Sequence, residues 1–171
     1  PVSSRVLRVG TRGSALALAQ SGMIADRVAR LAGATVELVR IRTEGDVNTG
    51  PLATIGGTGV FVTGVREALL DGRADIVVHS YKDLPTAPTE GITVAAVPER
   101  ESPYDALCAR DGLRLDQLPR GSTVGTGSPR RAAQLLARRP DLAVVPIRGN
   151  VDTRLRQVTD GHLDAVVLAA A

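Results

Sequence analysis

Apolar and polar residues alternate in short blocks along the chain, and their spacing predicts strands and helices in turn. Apolar runs predict strands at 5–9, 36–41, 76–79, 93–97, 105–109, in a short run ending at 125, at 144–147 and at 165–170. Apolar residues three or four positions apart predict helices from 14 to about 32, from about 60 to 71, at 128–139 and at 151–158. This order is typical of an α/β fold with mixed, largely parallel sheets.

The first predicted helix has a recognisable start, end and apolar face. Ser14 is a suitable N-cap, because its hydroxyl oxygen can accept a hydrogen bond from a free N–H group of the first turn. Gly33 is suited to end the helix, since glycine readily adopts a left-handed conformation. We expect Ile24, Val28 and Leu31 to form the face that packs inward.

Two pairs of segments indicate an internal repeat. Residues 9–14 (VGTRGS) resemble 124–128 (VGTGS), and 71–78 (DGRADIVV) resemble 160–167 (DGHLDAVV). A glutamine follows the serine of the first pair by six residues in both copies, as Gln20 and Gln134. Chance matching among Gly, Ala and Val is the alternative. We interpret the repeat as two similar α/β lobes with facing loops.

The segment between the two copies is charged and flanked by prolines, which is typical of a hinge. The sequence therefore predicts a first lobe at 1–98, a hinge at 99–103 and a second, incomplete lobe at 104–171.

Composition narrows the class of protein. The 171 residues are 43% apolar, enough for a globular core, and no apolar run approaches the ~20 residues of a membrane span. The N-terminal residues contain no secretory signal, and the single cysteine, Cys108, fits a reducing compartment as a buried, inert thiol. Aromatic residues are 2% of the chain, which disfavours single-stranded nucleic-acid binding by base stacking. We expect a cytoplasmic protein without nucleic-acid or membrane partners.

Polar residues directly follow the apolar run at 76–78. His79, Ser80, Lys82 and Asp83 stand where a buried strand is expected to leave the sheet. Ligands of open α/β sheets bind beyond the carboxyl ends of the strands, so this loop is a candidate active site. The alternatives are a solvated turn with a surface Lys–Asp pair and, for His79, a structural histidine.

Arginines and serines stand at several other strand ends and helix starts. Helix N-termini attract anions, and the arginines reinforce this attraction. Nearly all of the 21 Lys and Arg residues are arginine, the residue suited to gripping carboxylate or phosphate. The candidates are Arg12 and Ser14 in the first lobe and Thr126, Ser128, Arg130, Arg131, Arg148 and Arg154 in the second. They indicate a ligand with several carboxylates or phosphates. The alternative is solvated surface arginine, which we prefer for Arg138 and Arg139 near a helix C-terminus.

The glycine-rich segment at 56–59 lacks the Lys-Ser/Thr that follows in a phosphate-binding P-loop, and a flexible flap is the better interpretation. The two histidines, His79 and His162, show no metal-ligand spacing with Cys108, so we predict no metal site. His162 is expected to be exposed in a turn.

The chain resembles the porphobilinogen deaminase family over essentially its whole length. The segments that carry the resemblance are 8–20 (RVGTRGSALALAQ), 56–62 (GGTGVFV), 71–85 (DGRADIVVHSYKDLP), 124–131 (VGTGSPRR) and 147–155 (IRGNVDTRL). The resemblance implies a cytoplasmic, monomeric transferase of tetrapyrrole and haem biosynthesis. Such enzymes join four porphobilinogen units head to tail into linear hydroxymethylbilane and release ammonia at each step. The family has two lobes like those of type II periplasmic binding proteins, and a third domain whose cysteine holds a dipyrromethane cofactor.

The resemblance also implies roles for residues. Asp83 would be the catalytic carboxylate, because loss of ammonia leaves a cationic carbon that a fixed carboxylate stabilises. The acetate and propionate of each pyrrole would be held by Arg12, Ser14, Lys82, Ser128, Arg130, Arg131, Arg148 and Arg154. Further contacts are expected from Gln20, Ser80, Thr126 and Asn150.

Two departures from the family pattern affect these expectations. Thr58 stands where the family flap usually has lysine. The chain ends at Ala171, whereas the family continues into the third domain, and Cys108 does not match the cofactor cysteine. We interpret the 171 residues as an N-terminal fragment that lacks the third domain and is inactive alone.

Two other classes of protein are alternatives to an enzyme. A two-lobed small-anion binding protein without catalysis fits the arginines equally well, and the pair Lys82–Asp83 is what favours an enzyme. A DNA-binding regulator would need a helix-turn-helix, for which the sequence offers no candidate. The repeat partner of the Lys82–Asp83 loop, at 164–170, ends in alanines, so we expect the chemistry in the first lobe only.

Overall fold

A computed structural model describes residues 6–42 and 62–170. The chain divides into two compact units, Pro1–Ala96 and Val97–Ala171. The predicted flap with Thr58 lies outside the described residues. The hinge predicted at 99–103 remains a prediction, although the described residues from 92 to 104 contain no helix or strand.

Over the residues that the structure describes, the first unit is a parallel sheet with two α-helices. Its elements are β1 (Val6–Thr11), α1 (Ala15–Ala32), β2 (Thr35–Arg40), α2 (Thr63–Leu70) and β3 (Ile76–Val77). The described strands follow the order β2-β1-β3, and both pairings are parallel.

The second unit has a mixed sheet. Its elements are β4 (Asp105–Ala109), β5 (Thr123–Thr126), α3 (Pro129–Arg138), β6 (Ala143–Pro146), α4 (Val151–Thr159) and β7 (Ala165–Ala169). The order is β4-β7-β5-β6, with β4 antiparallel to β7 and the other pairs parallel. The predicted α/β class with mixed, largely parallel sheets is confirmed.

The internal repeat is also a structural repeat. Asp75 accepts a hydrogen bond from the backbone N–H of Arg8 at 2.8 Å, and Asp164 accepts one from the backbone N–H of Thr123 at 2.7 Å. In both units this carboxylate connects a parallel strand, β1 or β5, to the turn before a neighbouring strand, β3 or β7. The side chains of Arg8 and Arg110 then pair with these carboxylates at 3.0 and 3.1 Å.

One glycine of each repeat copy sits where a side chain would not fit. A Cβ on Gly10 would lie 2.8 Å from Val77 Cγ1, and a Cβ on Gly125 would lie 2.7 Å from Leu163 Cδ1. Real Cβ atoms are not packed this closely, because protein interiors are already filled to crystal-like density. The two glycines therefore let neighbouring side chains close over the middle of each sheet.

Three sequence expectations about packing were wrong. The segment at 93–97 is not a strand: none of the described strands pairs with it, and Val94 and Val97 are 59% and 67% exposed. In α1, Leu31 is 80% exposed, while Ser21 and Ala25 form the buried stripe. Leu31 follows Ala25 by six residues, and at 3.6 residues per turn this places it roughly 120° away from that stripe.

The third wrong expectation concerns Arg139, which is an anchor of the second unit and not a solvated arginine. Its guanidinium donates to the carbonyl oxygens of Leu115 and Leu118 at 2.6 and 2.8 Å. It also makes two hydrogen bonds of 2.8 Å to the carboxylate of Asp141. The Arg139 side chain is only 18% exposed. Its hydrogen bonds connect the loop before β5 to the end of α3.

Candidate functional site

Asp83 is presented on a short, hydrogen-bonded turn just after β3. The strand is shorter than predicted, and a single 3-10 turn covers Tyr81–Asp83. The backbone N–H of Asp83 donates to the carbonyl of Ser80 at 2.9 Å. Tyr81, Lys82 and Asp83 are all exposed. The carboxylate and the ammonium group therefore stand in solvent on a backbone that is held in place.

His79 precedes this turn by two residues and interacts electrostatically with Asp83 and with two arginines. Its Nε2 is buried, and none of the described residues offers it a hydrogen bond. Burial lowers the pKa of His79 below the usual 6.5, the negative charge of Asp83 opposes this shift, and the positive charges of Arg12 and Arg66 add to it. At neutral pH the imidazole is therefore uncharged. Asp83, His79, Arg12 and Arg66 form one electrostatic group.

The start of α1 is fixed next to this group. Ser14 caps the helix by accepting a hydrogen bond from the N–H of Ala17 at 3.3 Å, as predicted, and Gly33 ends the helix in a left-handed conformation. The buried Thr11 hydroxyl donates to the carbonyl of Ala17 at 3.1 Å. Because both bonds hold the first turn of α1, the half-buried Arg12 between β1 and α1 has a defined position.

Gln20 and Ser80 join α1 to the loop that carries Asp83. Ser80 Oγ donates to Gln20 Oε1 at 3.3 Å. The two residues were predicted as further ligand contacts from sequence, and the structure brings them together with Asp83 in the first unit. Their bond leaves the amide nitrogen of Gln20 as a donor that a ligand could use.

In the second unit, two hydrogen bonds to side-chain hydroxyls hold the turn between β5 and α3, and a cavity lies beside it. The N–H of Ser128 donates to Thr126 Oγ1 at 3.2 Å, and Ser128 Oγ caps α3 by accepting from the N–H of Arg131 at 3.4 Å. Pro129 occupies the first helical turn. A cavity of about 180 Å³ lies at this turn and is lined by Thr126, Gly127, Ser128, Pro129, Ala132, Val144, Val145 and Pro146.

Three guanidinium groups gather beside this turn, and we call Arg131, Arg148 and Arg154 the arginine cluster. Burial lowers the pKa of Arg154, and the positive charges of Arg131 and Arg148 lower it further. The Nε of Arg154 donates to the carbonyl of Gly149 at 2.8 Å. Arg148 Nη1 is buried and has no hydrogen-bond partner among the described residues. A buried cationic donor without an acceptor is costly, and a carboxylate would satisfy it.

The other predicted contacts of the second unit have mixed environments. Arg131 is already paired with Asp105, whose Oδ1 lies 2.6 Å from Arg131 Nη2. Arg130 is exposed at the start of α3. Asn150 caps α4 by accepting from the N–H and the hydroxyl of Thr153, both at 2.8 Å.

Sequence reasoning missed two residues of these sites. Asp105 is 26 residues away from Arg131 along the chain, and Arg66 lies on a helix whose prediction rests only on its apolar face. No motif connects either residue to its partner, so only folding reveals them. Cys108 is free and half-buried in β4, and His162 is exposed as expected.

Comparison with known families decides what these residues belong to. A family model described as porphobilinogen deaminase, dipyromethane cofactor binding domain, matches residues 7–171. The chain belongs to the porphobilinogen deaminase family. The recognition made from the sequence motifs is thereby confirmed.

Curated members of the porphobilinogen deaminase family are close in sequence. The chain is 61% identical to porphobilinogen deaminase of Leifsonia xyli subsp. xyli over 165 residues, which cover 96% of this chain and 50% of that protein. It is 58% identical to porphobilinogen deaminase of Thermobifida fusca over 170 residues, covering 99% of this chain and 53% of that protein. The chain thus spans about half the length of the curated relatives it matches.

Solved structures give more distant similarities. An ancestral cationic amino acid solute binding protein is 19% identical, with a TM-score of 0.47, covering 95% of this chain and 69% of that one. The periplasmic VFT2 domain of Bordetella pertussis BvgS is 18% identical, with a TM-score of 0.48, covering 96% of this chain and 66% of that one.

The arginine cluster fits the cofactor for which the family domain is named. Dipyrromethane is a pair of linked pyrroles, and pyrroles derived from porphobilinogen carry acetate and propionate groups. The buried, unpartnered Nη1 of Arg148 is a donor that such a carboxylate would satisfy. Over the described ranges, no helix is long and apolar enough to cross a membrane, and no three His, Cys, Asp or Glu side chains are grouped to hold a metal ion.

Proposed function

We propose that this chain supplies the catalytic carboxylate and the carboxylate-binding arginines of a porphobilinogen deaminase. The reaction is the head-to-tail joining of four porphobilinogen units into linear hydroxymethylbilane, with release of one ammonia at each addition. We also propose that the enzyme is cytoplasmic and monomeric. Its proposed partner is the small molecule porphobilinogen, and we expect it to bind neither nucleic acid nor a membrane.

The arginine cluster is the observation that carries the proposal. Three guanidinium groups lie near enough to one another to depress the pKa of Arg154, and one of them buries an unpartnered donor. An anionic ligand would compensate this concentrated positive charge. Planar guanidinium groups are suited to carboxylates in particular, because they can donate two parallel hydrogen bonds. Porphobilinogen carries two carboxylates, and a dipyrromethane carries more.

Within this proposal, binding and chemistry use different residues. Arg148 and Arg154 hold pyrrole carboxylates in the second unit, with Ser128 and Arg130 at the start of α3 as further donors. Arg12, Ser14 and Lys82 do the same in the first unit. They position the pyrrole, and positioning alone accelerates a joining reaction because it replaces a random encounter with a fixed approach.

Asp83 is the group proposed to act on the reacting atoms. When ammonia leaves, the carbon that carried it becomes cationic, and a nearby carboxylate stabilises the developing charge. The same carboxylate can accept a pyrrole N–H hydrogen bond and handle the proton lost in coupling. A dipyrromethane held by the arginines would supply pyrrole carboxylates and ring N–H groups to the same set of side chains.

The proposal is tested by assaying the gene product that contains this chain with porphobilinogen. Ammonia release and hydroxymethylbilane formation are both expected, in a ratio of four to one by the proposed chemistry. Tight binding of porphobilinogen without release of ammonia would instead identify a small-anion binding protein.

A further inference from the structure

Two buried hydroxyl groups connect the end of β1 to the second turn of α1. Ser21 Oγ donates to Thr11 Oγ1 at 2.8 Å. Thr11 is completely buried and Ser21 is only 1% exposed. A hydrogen bond between two side chains at this depth is shielded from water, so it holds both side chains in one arrangement. We call Thr11 and Ser21 the hydroxyl pair.

The hydroxyl pair also contacts the backbone on both sides of the turn between β1 and α1. Thr11 Oγ1 lies 3.1 Å from the carbonyl oxygens of Arg12 and Ala17, and its single hydrogen can be shared between them. These two carbonyls flank the turn that carries the side chains of Arg12 and Ser14. The backbone of Thr11 is held as well, since its carbonyl accepts from the N–H of Ile41 at 2.8 Å. The pair therefore fixes the turn to the sheet.

The repeat copy in the second unit is built without such a pair. Ser14 and Ser128 cap the corresponding helices, and the residue seven positions after the cap is Ser21 in α1 and Leu135 in α3. Leu135 is buried in an apolar cluster with Val124. The same strand-turn-helix unit thus forms with an apolar residue at this position, and serine is a less favourable residue in a helix interior. The hydroxyl of Ser21 is therefore not a requirement of the fold.

We propose that Thr11 and Ser21 are positioning residues for Arg12: their hydrogen bond fixes the turn from which Arg12 reaches a pyrrole carboxylate. The proposal rests on the carboxylate-binding function proposed above. A guanidinium binds a carboxylate best through two parallel hydrogen bonds, and this geometry tolerates little movement of the backbone that carries it. Neither hydroxyl needs to touch the ligand, because both act through the turn.

A positioning role predicts a specific kinetic effect. If the turn moves, Arg12 keeps its charge but meets the carboxylate in a poorer geometry. The contact then weakens in the bound substrate and in the transition state alike, which raises KM and leaves kcat nearly unchanged. A general loss of stability would instead lower the amount of active enzyme, and with it the apparent kcat, at an unchanged KM.

The test uses the gene product that contains this chain, with ammonia release measured against the concentration of porphobilinogen. Thr11→Val keeps the shape of the side chain and removes the hydroxyl, whereas Thr11→Ser keeps the hydroxyl. The double variant Thr11→Val/Ser21→Ala removes both hydroxyls, so that neither is left without its partner. Ser122→Ala is the matched control, because Ser122 is 4% exposed and its Oγ has no partner among the described residues. Ser122 precedes β5, at the end of that strand away from Ser128.

Thr11→Val and the double variant should both raise KM about tenfold, as for the loss of one charge-assisted hydrogen bond, with kcat within about twofold of the wild type. Thr11→Ser and Ser122→Ala should keep the wild-type KM. The double variant should melt at a higher temperature than Thr11→Val, because it buries no unpaired hydroxyl. A raised KM at a recovered melting temperature is a result that a purely structural role would not give.

A wild-type KM in both Thr11→Val and the double variant would overturn the inference alone. An equal rise of KM in Thr11→Ser or Ser122→Ala would also overturn it, since the effect would then not come from the hydroxyl pair. If Thr11→Val fails to fold, Ser21→Ala provides the test, with an expected rise in KM of about threefold. If the wild type releases no ammonia from porphobilinogen, the proposed function itself is contradicted.

Discussion

The guanidinium of Arg154 lies directly over Gly127. A Cβ built on Gly127 would be 3.7 Å from both terminal nitrogens of Arg154 and 3.0 Å from the carbonyl oxygen of Ile147. The glycine thus brings backbone, guanidinium and helix start together at one point of the second unit. A side chain there would be tight against the Ile147 carbonyl and in ordinary van der Waals contact with Arg154.

Gly127→Ala tests whether this close approach matters. The added methyl group must push the Ile147 carbonyl, which adjoins Arg148, by a few tenths of an ångström. We therefore expect binding of porphobilinogen to weaken by roughly tenfold, as for the loss of one charge-assisted hydrogen bond. The measurement is a dissociation constant by calorimetry. Gly22→Ala is the control, since no described atom lies within 4 Å of its Cβ position. Equal affinities of the two variants would disprove the role of Gly127.

Gly125→Ala tests the close packing of the repeat. A Cβ there would lie 2.7 Å from Leu163 Cδ1 and 2.8 Å from Ile147 Cγ2, so the variant overpacks the sheet. We expect a loss of about 1–3 kcal/mol in the free energy of unfolding. Urea denaturation measures it, again beside Gly22→Ala, which should be neutral or slightly stabilising because alanine favours helix. A fully stable Gly125→Ala would show that the close contact is not a constraint.

His79 makes stability depend on pH near neutrality. Its pKa is lower in the folded protein than the usual 6.5, mainly through burial. The unfolded chain therefore binds a proton that the folded protein resists, so the contribution to stability is full above pH about 6.5 and is lost as pH falls below it. Thermal unfolding from pH 7.5 to 5 should show this loss in the wild type.

The matched variants are His79→Asn and His162→Asn. The first should flatten the pH dependence of the melting temperature over this range, and the second should leave it unchanged because His162 is exposed. If the melting temperatures of both variants show the wild-type pH dependence, the burial of His79 does not affect stability.

Asp141 makes the stability of the fold depend on pH in a separate, acidic range. The bidentate contact with Arg139 lowers its pKa from 3.8 to about 2. A lowered carboxyl pKa stabilises the fold above the unfolded value and loses that stabilisation as pH falls from about 4 to 2. Asp141→Asn should therefore be less stable than the wild type at pH 5 and converge with it near pH 2. A constant difference in melting temperature across this range would contradict the assignment.

Local sequence signals predicted the elements and their ends well. The cap at Ser14, the stop at Gly33 and the repeated Val-Gly-Thr strands all depend on neighbours within a few residues, and the structure confirms them. The apolar run at 93–97 was misread because a strand needs a partner, and no apolar pattern shows whether one is near.

Residues that act through distant partners could not be predicted. Arg139 looks like a solvated helix end until the loop carbonyls of Leu115 and Leu118 fold onto it. The motif around Arg131 gives no sign of its ion pair with Asp105, and the expectation that Arg131 binds ligand stays a prediction. The family motifs identified the candidate residues, but only the folded chain shows which of their donors are already taken.

The central claim is that Asp83 is the catalytic carboxylate of a carboxylate-binding deaminase. The most direct measurement compares ammonia release and porphobilinogen binding in the gene product that contains this chain, for Asp83→Asn and for Asp26→Asn. Asp26 is an exposed residue of α1 and makes the same change of charge. We predict that Asp83→Asn keeps its affinity and loses a factor on the order of 10² or more in rate, the usual contribution of a catalytic acid–base group. Turnover of Asp83→Asn at the rate of Asp26→Asn would contradict the account.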